Sequence, residues 1–327
     1  MEGTADVVAT DLSARRGTRG PAAPPPARRR GNALVRWVRR GGLTTLAFFA
    51  PLLLSFGFFS WWPILRSLVL SLQQTNFITS SWVGLSNFER VLADPLLGTA
   101  VWNTTYFSAL AVVIGFPVPI LTAVFIAEMR RTRQLASVLA YLPVVVPPVV
   151  AVLLWKFFYD GSAAGVFNTI LGYVGLGPYA WLSDPSMAMP ALVVEATWAA
   201  AGGTVIIYLA ALIGVPGELY DAAEVDGAGI WRKVWHVTMP ALRGVLFITF
   251  ILQMIGTVQV FLEPYLFTGG GPNNATLTIL LMIYRYAFEN SLGGDYGAAT
   301  ALSVMLAAVL AVLSLVYFRL TAKWSTS

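Results

Sequence analysis

The chain has 327 residues, of which 57% are hydrophobic and 11% charged, and it carries a net charge of +5. Soluble domains carry about 25% charged residues, so an aqueous exterior is excluded for most of this chain. With no cysteine and a single histidine, His236, disulfides, thiol catalysis, iron–sulfur clusters and Cys- or His-clustered metal sites are excluded as well.

Residues 1–42 hold nine arginines and the run Pro24-Pro25-Pro26, and are expected to form a disordered basic cytoplasmic tail whose arginines rest on anionic lipid heads. No stacking aromatics interleave with those arginines as a nucleic-acid groove requires, so nucleic acid is not an expected partner. Arg39-Arg40 stands before an apolar run like an export signal, but the run from Leu43 is too long for one and reads as an uncleaved first span.

From residue 43 to 327 the pattern predicts an all-α polytopic membrane helix bundle. A spanning helix needs about 20 mainly apolar residues, and six stretches qualify: 43–64, 101–127, 135–159, 188–213, 242–267 and 298–320. Pro143, Pro147 and Pro148 interrupt the third, where a kink or break is expected. Of the 21 Lys and Arg residues, 17 fall in the tail, the second-to-third and fourth-to-fifth connections and the C-terminus; only Arg66, Arg90, Lys156 and Arg285 fall on the other side. Cytoplasmic loops collect Lys and Arg, so both termini are expected in the cytoplasm of a bacterial cell. The outer connections carry Trp82, Tyr159, Tyr179 and Trp181, rings suited to the membrane interface.

Between spans four and five runs the connection 214–241. Pro216 suits a helix start, and Glu218, Asp221 and Glu224 suit its positive N-terminal end. Leu219, Ala222 and Ala223 make a narrow apolar face. Gly227 and Gly229 interrupt it, Ile230, Val234 and Val237 resume the helical spacing, and Pro240 is expected to close the segment before span five. The expected form is two short amphipathic helices with a glycine elbow. An interfacial helix lying on lipid is the plainer alternative, although an acidic polar face suits anionic lipid poorly. His236, in the second helix, is expected on an exposed polar face.

Two carboxylates fall within spans, Glu195 in the fourth and Glu263 in the fifth, where charge is costly and usually meets a cavity or a partner. Both lie toward the outer side. As a solute pathway they are grouped with Trp198, Tyr208, Gln253, Gln259 and Tyr265; the alternative is that each carboxylate is protonated or satisfied by a neighbouring helix. Gly202-Gly203 is expected to be a close-packing contact. There is no Ser/His/Asp or paired-carboxylate catalytic arrangement, and no G-x-x-x-x-G-K-[ST] phosphate loop.

The loop resembles the EAA loop of binding-protein-dependent ABC importer permeases, whose pattern is E-A-A, three residues, G, nine residues, I-x-L-P. Here Asp221-Ala222-Ala223 is followed by three residues, Gly227, nine residues and Val237-Thr238-Met239-Pro240. Spacing matches throughout, with Asp221, Val237 and Met239 as conservative departures. Asp221 shortens the acid by one methylene. The outer stretch Phe267-Thr-Gly-Gly-Gly-Pro-Asn-Asn-Ala-Thr276, Tyr296-Gly-Ala-Ala299, Leu142-Pro143, Trp198, Phe158-Tyr-Asp-Gly161 and Asn168 are similar to the carbohydrate-uptake branch in particular. The resemblance implies a type I importer permease fold with six transmembrane helices and a cytoplasmic coupling helix. It implies that Asp221, Ala222, Ala223, Gly227, Val237 and Pro240 form the ATPase contact. The implied partners are a second homologous permease, two ABC ATPase subunits, an extracytoplasmic solute-binding protein, a carbohydrate and membrane lipid. No cofactor is expected on this chain, ATP and Mg belonging to the ATPase partners, and the chain is expected not to be an enzyme. Rival readings are a permease for a glycerol-phosphate or other polyol, and a proton-coupled secondary transporter using Glu195 and Glu263.

Overall fold

The computed structural model describes residues 37, 41–75, 79–129, 131–289 and 294–322. Nearly all of the basic tail, Arg130 and Lys323 lie outside the described residues. The chain separates into two compact units, Met1–Trp62 and Pro63–Ser327.

In the first unit the helix Gly42–Phe56 continues into a single wide turn, Gly57–Trp61. Its large side chains face outward, Phe48 being 81% and Phe59 75% exposed. An apolar helix bare on this scale has lipid or another membrane protein for its surroundings.

Among its described residues the second unit is built of helices with one small hairpin, Gln73–Thr75 pairing antiparallel with Ser80–Trp82. Its helices Pro95–Leu110 and Pro117–Glu128 form one span, followed by Pro185–Ile213, then Ile230–Val258, and Tyr296–Ala322 closes the series. The third predicted span breaks at the expected place: Arg133–Val145 and Pro148–Phe158 meet at 98°. The cause is local. Val146 and Pro147 both precede a proline, which disfavours the helical region, and both are extended, at ψ 128 and ψ 133. Pro148 then starts the second half, where its missing N–H costs nothing. Pro143 stays inside the first half.

Spans two and four begin earlier than their apolar runs. Asp94-Pro95 and Asp184-Pro185 place a carboxylate at the N-cap and a proline in the first turn. Asp94 accepts from the Leu96 amide at 2.8 Å, and Asp184 from the Ser186 amide at 2.8 Å, satisfying amides that have no helical partner. The Ser186 hydrogen bonds hold the Asp184 carboxyl below the usual carboxylate range.

Two expectations about prolines are corrected. Pro240 does not close the loop segment: Ile230 to Val258 is one continuous helical element. A wide turn at Val234–Thr238, where the Met239 amide bonds back to the Val234 carbonyl, precedes the proline. That extra residue gives the ring room against the preceding turn. The same device, Ala111–Gly115 closed by Phe116 N–H, precedes Pro117. Span five ends at Val258, not at 267. Pro264 has no N–H for the Val260 carbonyl, which accepts the Thr278 hydroxyl instead, at 3.0 Å.

The core of this unit has three parts. Phe107, Tyr159, Met189, Leu192, Val260 and Phe267 form one. Val91, Leu277, Leu281, Ala298 and Leu302 form another. Ile120, Ile126, Val205, Tyr208, Leu209 and Leu242 form the third, at the end that bears the 214–229 loop.

Candidate functional site

Two features of the second unit are candidates. The first is the loop helix Gly217–Val225, which begins one residue after Pro216. None of its residues is buried; Leu219 is 50% and Val225 89% exposed, and Asp221 and Ala222 face outward, with Ala223 half-covered. Its C-terminal end is tightly made. Gly227, at φ +70, lets the Ala228 amide reach the Ala223 carbonyl at 2.8 Å and its own amide reach Glu224 at 2.9 Å. This pair of bonds is the glycine-terminated cap that ends many helices. The helix is tied to the following one by Lys233–Glu224 at 2.7 Å and by the Tyr220 and Thr238 hydroxyls at 3.1 Å. Val237 is half-buried and Pro240 exposed on the element that continues into span five. His236 is exposed, with Nδ1 3.0 Å from the Arg232 carbonyl. A short helix anchored on one side and bare on the other is suited to engage a partner as a rigid body.

The second candidate is a cavity of about 570 Å³ between the second, fourth and fifth spans. Gln253, Gln259 and Glu263 line it, together with Thr197, Thr204 and Thr257. Gln253 donates to the Ala111 carbonyl at 2.7 Å, a carbonyl in the wide turn ahead of Pro117. Gln259 donates to Ile255 at 3.0 Å. The remaining four pathway candidates are not in the wall. Tyr208 is fully buried in the core, its hydroxyl 2.7 Å from that of Thr249. Tyr265 stacks on Phe261 at 5.2 Å and shares a 3.2 Å hydroxyl contact with Tyr284. Trp198 packs on Trp155 at 5.5 Å. Glu195 is 2% exposed, and its Oε2 has no hydrogen-bond partner among the described residues.

Several polar groups hold together the side away from the 214–229 loop, and Asn103, Thr104 and Tyr286 among them were not singled out in the sequence. Asn103 donates to the carbonyls of Asn274 and Leu277 at 2.7 and 3.0 Å, and the Thr104 hydroxyl receives the Ile279 amide at 3.0 Å. These bonds pin the Gly-Gly-Gly-Pro-Asn-Asn stretch to span two. Thr276 is fully buried two residues beyond that stretch, its hydroxyl 2.6 Å from that of Thr268. Asn168 is a hub: its amide donates to Ser162 and Tyr179 at 3.0 Å, and its oxygen accepts from Tyr179 and Trp181. Tyr159 and Trp181 pack against each other, Tyr159 being 5% exposed and bonded to the Ala191 carbonyl at 2.9 Å, and Trp181 half-buried. Tyr286 donates to Asp94. Burial, then the Asp94 carboxylate, pushes its phenol above the ordinary range, so it remains a donor at neutral pH. Asn and Thr inside apolar runs were the available signal for Asn103 and Thr104.

A model of the family described as binding-protein-dependent transport system inner membrane component matches residues 115–325. The chain belongs to that family. As an inner membrane component of binding-protein-dependent transport, it is 35% identical over 280 residues to the lactose transport system permease protein LacF of Rhizobium radiobacter, covering 83% of this chain and 91% of that one. It is 33% identical over 274 residues to the arabinooligosaccharides transport system permease protein AraP of Halalkalibacterium halodurans, covering 83% and 85%. Among solved structures, a bacterial alginate ABC transporter in complex with an alginate pentasaccharide-bound periplasmic protein contains a chain that superposes with a TM-score of 0.79 at 25% identity, covering 90% of this chain and 99% of that one. This inner membrane component is a multi-pass permease of the ABC importer type.

Proposed function

We propose that this permease carries a sugar or oligosaccharide inward, receiving it from an extracytoplasmic binding protein and drawing its energy from separate ATP-hydrolysing subunits. The observation that carries the coupling is the Gly217–Val225 helix, tied down on one side and bare on the other. It holds Asp221-Ala222-Ala223 and ends on Gly227, the residues that the family resemblance assigns to the ATPase contact. Closure of two ATPases on ATP would drag the helix and open the bundle outward; hydrolysis would reset it. Differential contact of the helix with the two ATPase states is what the coupling requires. A second permease would complete the path, and both termini would lie in the cytoplasm, on the same side as this helix. The sugar assignment draws support from the lactose and arabinooligosaccharide relatives and from a cavity lined by threonine and glutamine groups that match hydroxyls.

A photo-crosslinker placed at Ala222 in membranes of the producing cell tests the coupling. The expected product is an adduct with a subunit carrying a G-x-x-x-x-G-K-[ST] phosphate loop. Crosslinking only to lipid, or only to proteins lacking that loop, would overturn it.

A further inference from the structure

The cavity wall holds one acidic side chain, and an acid in that place restricts the solute. Among the residues that line it, Glu263 is the sole ionisable one; the other polar groups are uncharged. The nearby cations are engaged elsewhere. Lys156 donates to the Leu266 carbonyl at 3.3 Å, Arg285 donates to the Gly269 carbonyl and pairs with Glu289, and neither lines the cavity. A second carboxyl, Glu195, lies on the fourth span between the lining residues Val193 and Ala196, buried and with its Oε2 unpartnered among the described residues. Among the described residues neither carboxyl forms an ion pair. Glu263 is half-buried at the wall and is the one side chain among those lining it that can carry a charge.

We propose that Glu263 is a specificity-determining residue, admitting neutral and amino-bearing sugars and rejecting sugars that carry a carboxylate or phosphate. This deepens the sugar assignment above and rests on it. A carboxylate in a confined apolar wall accepts bonds from sugar hydroxyls or an ammonium. Toward a second anion it offers only repulsion, little screened at that depth. The similarity in fold to a transporter of alginate therefore does not extend to the charge of the solute.

The test uses proteoliposomes holding the complete importer and its binding protein. Three matched solutes are supplied at equal binding-protein occupancy: a neutral oligosaccharide, the same with a terminal amino sugar, and the same with a terminal uronate. The uronate is expected to enter at least about tenfold more slowly than the neutral sugar, and the amino sugar within about threefold of it. Glu263→Gln should raise the uronate-to-neutral ratio about tenfold, and Glu263→Asp should keep the wild-type ratio. Gln259→Glu, which adds a charge to the same wall, should deepen the discrimination and gives an independent reading where Glu263→Gln fails to assemble. Equal entry of uronate and neutral sugar in the wild type, or an unchanged ratio in Glu263→Gln, overturns the charge filter while leaving sugar transport in place. Entry of none of the three, with ATP hydrolysis answering to a non-sugar solute, overturns the sugar assignment and this inference together.

Discussion

Gly202 and Gly203 are adjacent in the fourth span and have opposite surroundings. A Cβ on Gly202 would sit 2.3 Å from the Ala140 carbonyl oxygen and 2.9 Å from the Tyr141 Cα, whereas one on Gly203 would meet nothing within 4 Å. Backbone on both sides of the first contact cannot rotate away as a side chain can. Gly202→Val should therefore force the fourth span off the Arg133–Val145 helix, at a cost of about 1–3 kcal/mol, seen as a lowered Tm of the detergent-solubilised protein. Gly203→Ala should be neutral or stabilise by up to about 1 kcal/mol, since alanine favours the helix. An unchanged Tm for Gly202→Val would refute the contact. The sequence suggested a close-packing pair; only one glycine plays that part, because neighbours on a helix point about 100° apart. The cavity divides the candidates by the same rule. Gln253, Gln259 and Glu263 were legible as polar groups in an apolar stretch, but only packing sent Tyr208 into the core and Tyr265 against Tyr284.

Among the elements, proline effects were legible wherever they act locally. The 98° break between Arg133–Val145 and Pro148–Phe158 follows from two consecutive pre-proline residues. The continuity of Ile230–Val258 through Pro240 did not follow from local rules, because a single wide turn absorbs the ring. The loop helix depends on its glycine end in a way that can be measured. An L-residue at φ +70 costs about 1–2 kcal/mol, more when β-branched. Gly227→Val should thus unmake the Ala228–Ala223 and Gly227–Glu224 bonds while the spans stay inserted. The expected phenotype is loss of solute-stimulated ATP hydrolysis at normal membrane abundance, with Gly227→Asn retaining most of it because asparagine tolerates that conformation. Normal coupling in the valine variant would sink the proposed role of this turn.

At the scale of the whole molecule, the distribution of Lys and Arg makes one demand on topology, and the absence of native cysteine makes it simple to check. Ser81 and Asp226 are both exposed, one in the hairpin and one beside the loop helix. In intact cells a membrane-impermeant maleimide should label Ser81→Cys and spare Asp226→Cys, and should label both after permeabilisation; the reverse pattern would invert the orientation. The sequence by itself determined that the chain crosses the membrane, roughly where, and which loop has the spacing of a coupling segment. Those properties depend on short-range composition: about 20 apolar residues must be helical in lipid to satisfy their own backbone, and a glycine at the end of a short helix is read over a few positions. Only the tertiary structure decided which side chains meet the cavity, that the Gly-Gly-Gly-Pro-Asn-Asn stretch is pinned by Asn103 and Thr104 from span two, and that Glu263 is the one ionisable side chain among the described residues lining the wall. Such facts depend on which faces of separate helices meet. One helix's periodicity carries no information about its neighbour's rotation.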